Sequence, residues 1–147
     1  MTENYLVDTH VWLWYALGDT KRLPPPLAHR LTALDEQRRL HLSVMSVWEL
    51  AMLVAKNRIQ LGCAINGWVN EFFERTRYQL LGVNIGVALD ANALPGNFHP
   101  DPADRLIVAT ARHHRLTLIT DDRKILDYAG QGYLRARASH DTKTPSV

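Results

Sequence analysis

The sequence is poor in the features that mark many functional classes. It has one cysteine, Cys63, in 147 residues. No disulfide can form within the chain, and a single thiol suits a reducing cytoplasm. Beside Gly62 and with no base near it in sequence, Cys63 reads as a small apolar filler. No run approaches the roughly 18 apolar residues that cross a membrane. The start, Met1-Thr2-Glu3-Asn4-Tyr5, has neither the basic region nor the apolar core of a signal peptide. No Cys-x-x-Cys and no His-Glu-x-x-His occurs, which argues against zinc. No Gly-rich phosphate loop of either common nucleotide-binding type is present. Internal repeats and low-complexity blocks are missing as well.

What remains is an ordinary globular composition, 46% hydrophobic and 22% charged. The length allows one compact domain with a real core, expected over residues 1–134. The polar stretch 135–147 is expected to be a short last strand followed by a flexible tail. Net charge is +2, which permits a nucleic-acid partner without indicating one. The basic residues come in pairs, such as Lys21-Arg22, Arg38-Arg39 and Arg123-Lys124, and read as solvated surface. His113-His114, between Arg112 and Arg115, reads the same way.

Short apolar runs alternate with amphipathic ones. Tyr5-Leu6-Val7 and Leu116 to Thr120 predict buried strands, Leu40 to Val44 alternates like a second strand, and Leu80 to Val83 predicts a third short strand. Helices are predicted from just after Asp8 to Leu17, from the Pro24-Pro25-Pro26 break to Arg38, and from Ser46 to about Asn57. Others run from Ile65 to Tyr78, from Val87 to Leu94, and from Pro102 to Ala111, with a helical turn at Ile125–Tyr128. This alternation predicts an α/β fold, a three-layer α/β/α arrangement with a central parallel sheet. Such sheets carry their sites at the carboxyl ends of strands, where strand order switches. Asp8 and the pair Asp121-Asp122 each follow an apolar run immediately.

Four acids draw attention, and each has a plain structural reading. Asp8 can cap the helix that starts near His10. Ser46-Val47-Trp48-Glu49 has the form of a capping box. In Asp101-Pro102-Ala103-Asp104 the first aspartate suits the N-cap, and Asp104 falls in the first turn, where acid suits the helix dipole. One of Asp121 and Asp122 can cap the following turn. Together the acids mean more. Two carboxylates about 4 Å apart at an effective dielectric near 20 repel by about 4 kcal/mol. A raised pKa or a bound cation relieves that. Several oxygen ligands with open positions suit Mg²⁺ or Mn²⁺ and phosphodiester hydrolysis. His10 could assist, although packing at the helix start is the simpler role.

These residues also resemble a known family. Val7-Asp8-Thr9-His10-Val11-Trp12-Leu13-Trp14 is similar to the opening of PIN-domain ribonucleases of the VapC toxin type. Ser43 to Ala51 resembles their second motif, His99 to Ala111 their third, and Leu118-Ile119-Thr120-Asp121-Asp122 their fourth. The order holds from about Tyr5 to Tyr133. The resemblance implies a PIN-like fold and an acidic Mg²⁺ or Mn²⁺ site. It implies RNA as substrate, a cognate antitoxin protein as partner, and a cytoplasmic setting. By position, Asp8, Glu49 and Asp104 match the first three acids. The Thr-x-Asp form of the fourth motif selects Asp122 and leaves Asp121 in the variable place. Thr120 supplies the supporting hydroxyl, with Asp121 as a further supporting residue. The apolar residues of the Trp12/Trp14 helix leave room for a homodimer face.

Two other classes compete. A phosphoryl-transfer protein of the receiver or phosphatase kind also gathers aspartates at strand ends, but it needs a well-placed lysine. Lys124 is expected to face outward. A non-catalytic binding module could keep the same fold, and the presence of all four acids argues against it.

Overall fold

Tyr5–Val7 forms β1 at the centre of a five-stranded sheet with strand order β3-β2-β1-β4-β5. The structure is a computed structural model and describes residues 2–141. The other strands are β2 (Leu40–Ser43), β3 (Gln79–Leu81), β4 (Thr117–Ile119) and β5 (Ala136–Arg137). Every pairing is parallel, with Tyr5 opposite both Leu40 and Thr117. The described residues add seven α-helices: α1 (Thr9–Leu17), α2 (Pro25–Glu36), α3 (Val44–Ala55), α4 (Ile65–Arg75), α5 (Ile85–Asn92), α6 (Pro102–His114) and α7 (Arg123–Gly130).

A parallel sheet needs crossover helices on both faces, so its strands are apolar on both sides. Alternation along β1 sends Tyr5 and Val7 to one core and Leu6 to the other. The first core holds Trp12, Leu31, Leu34 and Leu50 from α1, α2 and α3, with Trp68 and Phe72 of α4 packed against it. The second holds Val87, Ile107, Val108 and Ile125 from α5, α6 and α7. Each fully buried Leu, Ile or Val in these layers contributes about 1.5–3 kcal/mol. At Gly86 of α5 a Cβ would meet the exposed His113 ring at 2.8 Å, so a larger residue there would make that ring swing aside.

Several details differ from the sequence reading. Ser43, whose hydroxyl accepts from Met45 N–H at 3.0 Å, caps α3. Ser46 is therefore inside the helix and buried. Trp12 is fully buried against Trp68 and Phe72, so it cannot form a dimer face. Cys63 is exposed, because it lies in the turn before α4 rather than in a core. Strand β5 and a 3-10 turn (Ser139–Asp141) carry the described chain past residue 134. The remainder of the expected tail, residues 142–147, lies outside the described residues.

The strand order places a switch point between β1 and β4. From β1 the chain crosses to β2 on one side, and later β4 is laid down on the other. Adjacent loops there leave in opposite directions and open a crevice at the carboxyl ends of the strands.

Candidate active site

Asp8 and Thr120 leave β1 and β4 at this crevice. Asp8 is buried at 6% exposure. Its Oδ1 accepts from Thr9 N–H at 2.8 Å and its Oδ2 from the Thr120 hydroxyl at 2.6 Å. Thr120 Oγ1 in turn accepts from Asp122 N–H at 3.0 Å. One hydroxyl thus ties the first acid to the last. Asp8 does cap α1, but its bond goes to the neighbouring N–H, not to one deeper in the first turn. Burial pushes its carboxyl up, helped by the charge of Asp122 and opposed by the bond from Thr120.

Glu49 projects from the second turn of α3. Its Oε1 accepts from the Thr9 hydroxyl at 2.6 Å. Thr9 Oγ1 also lies 2.8 Å from Ser46 Oγ. Thr9 has one hydroxyl proton, so donation to Glu49 leaves Ser46 as the donor to Thr9. The expected capping box is not formed. Ser46 and Glu49 serve one relay from α3 to the start of α1. Burial raises the Glu49 carboxyl, and the charge of Asp8 adds to that.

Asp104 stands in the first turn of α6, which Asp101 caps by accepting from Asp104 N–H at 3.1 Å. Its carboxyl is pushed up to about 7 by burial first and then by the charges of Asp8, Asp101, Asp122 and Glu49. That list is the electrostatic signature of one shared pocket: acids as distant in sequence as Asp8 and Glu49 raise Asp104.

Asp121 and Asp122 part company. Asp121 turns to the sheet edge and accepts from Ser139 N–H and Oγ–H, both at 2.7 Å. Asp122 caps α7 with Oδ1, accepting from Lys124 N–H at 2.8 Å and Ile125 N–H at 3.3 Å. It also lines a cavity of about 740 Å³ together with His99, Pro100, Asp101, Pro102, Asp104, Arg123 and Lys124.

Several residues at the site were not singled out from sequence, or were placed elsewhere. His99 Nδ1 lies 3.4 Å from the Asp101 N–H that it accepts, which puts the ring proton on Nε2. Nε2 is buried and 3.1 Å from Asp104 Oδ2, yet off the axis of a hydrogen bond and otherwise without a partner. Arg105 fixes the loop that carries His99. Its Nε donates to Ala91 O at 2.7 Å and one terminal nitrogen to Phe98 O at 2.9 Å and His99 O at 3.3 Å. His10 is exposed, not packed, and its charge reaches Asp8 and Glu49. Lys124 lines the cavity instead of facing away from it. Short side chains and caps hid these roles: a Thr or His near an acid has no spacing signature of its own.

The donor set is carboxylate oxygen throughout, the chemistry of a hard divalent cation. Among the described residues no three of these side chains close into a ready-made metal cage. Mg²⁺ needs none, because it keeps several waters and binds through one or two carboxylates. The raised Asp104 carboxyl marks the excess negative charge that a cation would neutralise. The residues fit such an ion.

The sequence pattern that defines the PIN domain matches residues 5–131. The chain is 38% identical over 120 residues to Ribonuclease VapC22 of Mycobacterium tuberculosis, covering 82% of this chain and 88% of that protein. Solved structures with the same fold include the DNA-bound VapBC complex from Salmonella typhimurium. That match has a TM-score of 0.67 at 16% identity and covers 94% of this chain and 99% of the other. A toxin–antitoxin complex from Klebsiella pneumoniae matches with a TM-score of 0.58 at 22% identity, over 92% of this chain and 98% of the other. At such identities the structures establish the fold alone.

Proposed function

This chain belongs to the PIN-domain family, among its VapC-type ribonucleases, and from that membership we propose how its acid-lined crevice works. The protein is a hydrolase of RNA phosphodiester bonds and the toxin of a toxin–antitoxin pair. Asp8, Asp104 and Asp122, with Glu49, hold a divalent cation, Mg²⁺ or Mn²⁺. When bound, such a cation activates water for attack and offsets charge that builds on the phosphorus.

The chain's own residues prepare the site. Thr120 holds the Asp8 carboxylate from one side while Thr9 N–H holds it from the other. The Thr9 hydroxyl fixes Glu49, so that acid does not have to be ordered when substrate arrives. Asp104, whose carboxyl sits at about 7, is partly protonated near neutral pH, so a cation readily shifts its charge state. Asp121 takes no part, because both its oxygens are engaged by Ser139. The observation that carries this reading is the mutual electrostatic effect of Asp8, Glu49, Asp101 and Asp122 on Asp104.

Two surfaces support the partners. Tyr15, Ala16, Trp68 and Phe72 line a groove of about 430 Å³ between α1 and α4, with Glu71 and Arg75 also lining it. It suits an apolar segment of the antitoxin. Ile85 and Leu89 of α5 are 80% and 68% exposed and offer a second copy of the chain an apolar face. No described helix is long and apolar enough to cross a membrane, and an RNA target fits a cytoplasmic setting.

The test is cleavage of RNA by purified protein in Mg²⁺, in Mn²⁺ and in excess EDTA. Cleavage is expected with either ion and none with EDTA. Cleavage that survives EDTA in wild type but not in an Asp104→Asn preparation made in parallel refutes the metal mechanism.

A further inference from the structure

The acid-lined crevice presents a difficulty for its own substrate. RNA is a polyanion, and it must approach a wall that already carries Asp101, Asp104 and Asp122. The same cavity has a second wall of opposite sign. Arg123 and Lys124 line it from the first turn of α7. Both are exposed. Neither side chain pairs with a carboxylate among the described residues, although three carboxylates share the cavity.

Their position is unfavourable for the fold. The N-terminus of a helix carries partial positive charge, so cations are disfavoured in its first turn. Some arginines elsewhere are matched to acids, as Arg75 is to Glu71 at 2.6 Å and Arg112 to Asp90 at 3.0 Å. Arg123 and Lys124 gain no such compensation. Their backbone is nonetheless held firmly, since Asp122 Oδ1 accepts the Lys124 N–H and the next residue, Ile125, is fully buried.

We propose that Arg123 and Lys124 form a phosphate-binding lip for the RNA chain, contacting backbone phosphates next to the bond to be cut. This rests on the ribonuclease reading and adds the residues that hold the substrate. Arginine presents a fork that matches phosphate oxygens, and lysine a compact charge on a flexible stem. Both contacts are with the backbone, so they position any sequence alike and do not select one.

Each lost phosphate contact lowers the salt dependence of single-strand binding by about 0.7 in the slope of log K against log salt, so two contacts amount to about 1.4. The probe is a fluorescein-labelled single-stranded RNA of mixed sequence, bound to full-length protein carrying Asp104→Asn to prevent cleavage, with potassium chloride titrated. Adding Arg123→Gln and Lys124→Gln should weaken binding and reduce the slope by about 1.4. Exchanging the pair, Arg123→Lys with Lys124→Arg, should keep the slope. Lys21→Gln with Arg22→Gln removes the same charge beyond the far end of α1 and should change little. Equal loss in the pocket and remote variants means net charge alone acts and overturns the lip. An unchanged slope in the pocket variant overturns it as well, and loss of antitoxin binding in that variant with RNA binding intact would reassign the pair to the protein partner. Failure of the Asp104→Asn protein to bind RNA at all would sink the ribonuclease reading itself, a result distinct from the others.

Discussion

Replacing Asp104 by asparagine should stabilise the metal-free protein while destroying catalysis. In the folded chain the Asp104 carboxyl sits at about 7, against 3.8 for the unperturbed group. The folded state therefore binds a proton that the unfolded state has released, throughout the window between those values. Stability falls as pH rises through that window and is flat above it. At 1.36 kcal/mol per pH unit the charged form costs on the order of 4 kcal/mol. The side chain is 21% exposed, so solvent and relaxation take part of this, and a gain of about 2–4 kcal/mol is expected above neutral pH. Asparagine keeps the shape and can still meet His99. Contributions shared by both proteins cancel in the difference. Glu3, lowered by bonds from Thr117 and Tyr5 against the opposing effect of its burial, is one of these. The assay is urea denaturation of wild type and Asp104→Asn in EDTA at several pH values from 4 to 8.5. The two proteins should match at the acid end and diverge as pH rises. With Mg²⁺ at a hundred times its dissociation constant, wild type should recover about 2.7 kcal/mol by mass action and the variant far less. Parallel curves at all pH values, or a variant less stable throughout, would show that the acids do not share a pocket.

Thr9→Val removes the hydroxyl that fixes Glu49 and leaves the buried Ser46 hydroxyl without that partner. It should cost about 1–3 kcal/mol and lower kcat, with Thr9→Ser restoring most of both; a Thr9→Val enzyme with full kcat would remove Thr9 from the site. Asp101→Ala loses the cap of α6, worth about 0.5–2 kcal/mol in a thermal melt, while its initial rate should fall far less than that of Asp104→Asn. Equal rate losses in the two folded variants would make Asp101 part of the catalytic centre.

Much of this protein could be read along the chain. Buried strands such as Tyr5–Val7 and Thr117–Ile119 are apolar on both faces, and that pattern alone separates a parallel sheet from a half-exposed one. The caps at Asp101 and Asp122 follow from local rules, since each bond spans three residues or fewer. The acids were identified by position in four motifs. The relation between them was not local. Thr9 meets Glu49 across 40 residues, and Thr120 meets Asp8 across 112. A hydroxyl that bonds at such distance leaves no periodicity behind. Ser46 illustrates the limit: its spacing to Glu49 matched a capping box, but Ser43 begins the helix one turn earlier and frees Ser46 for Thr9. The pair Asp121-Asp122 shows it again. In an extended backbone adjacent side chains point to opposite sides, so one of the two had to leave the crevice. Which one left was decided by β5, whose docking beside β4 brought Ser139 to Asp121.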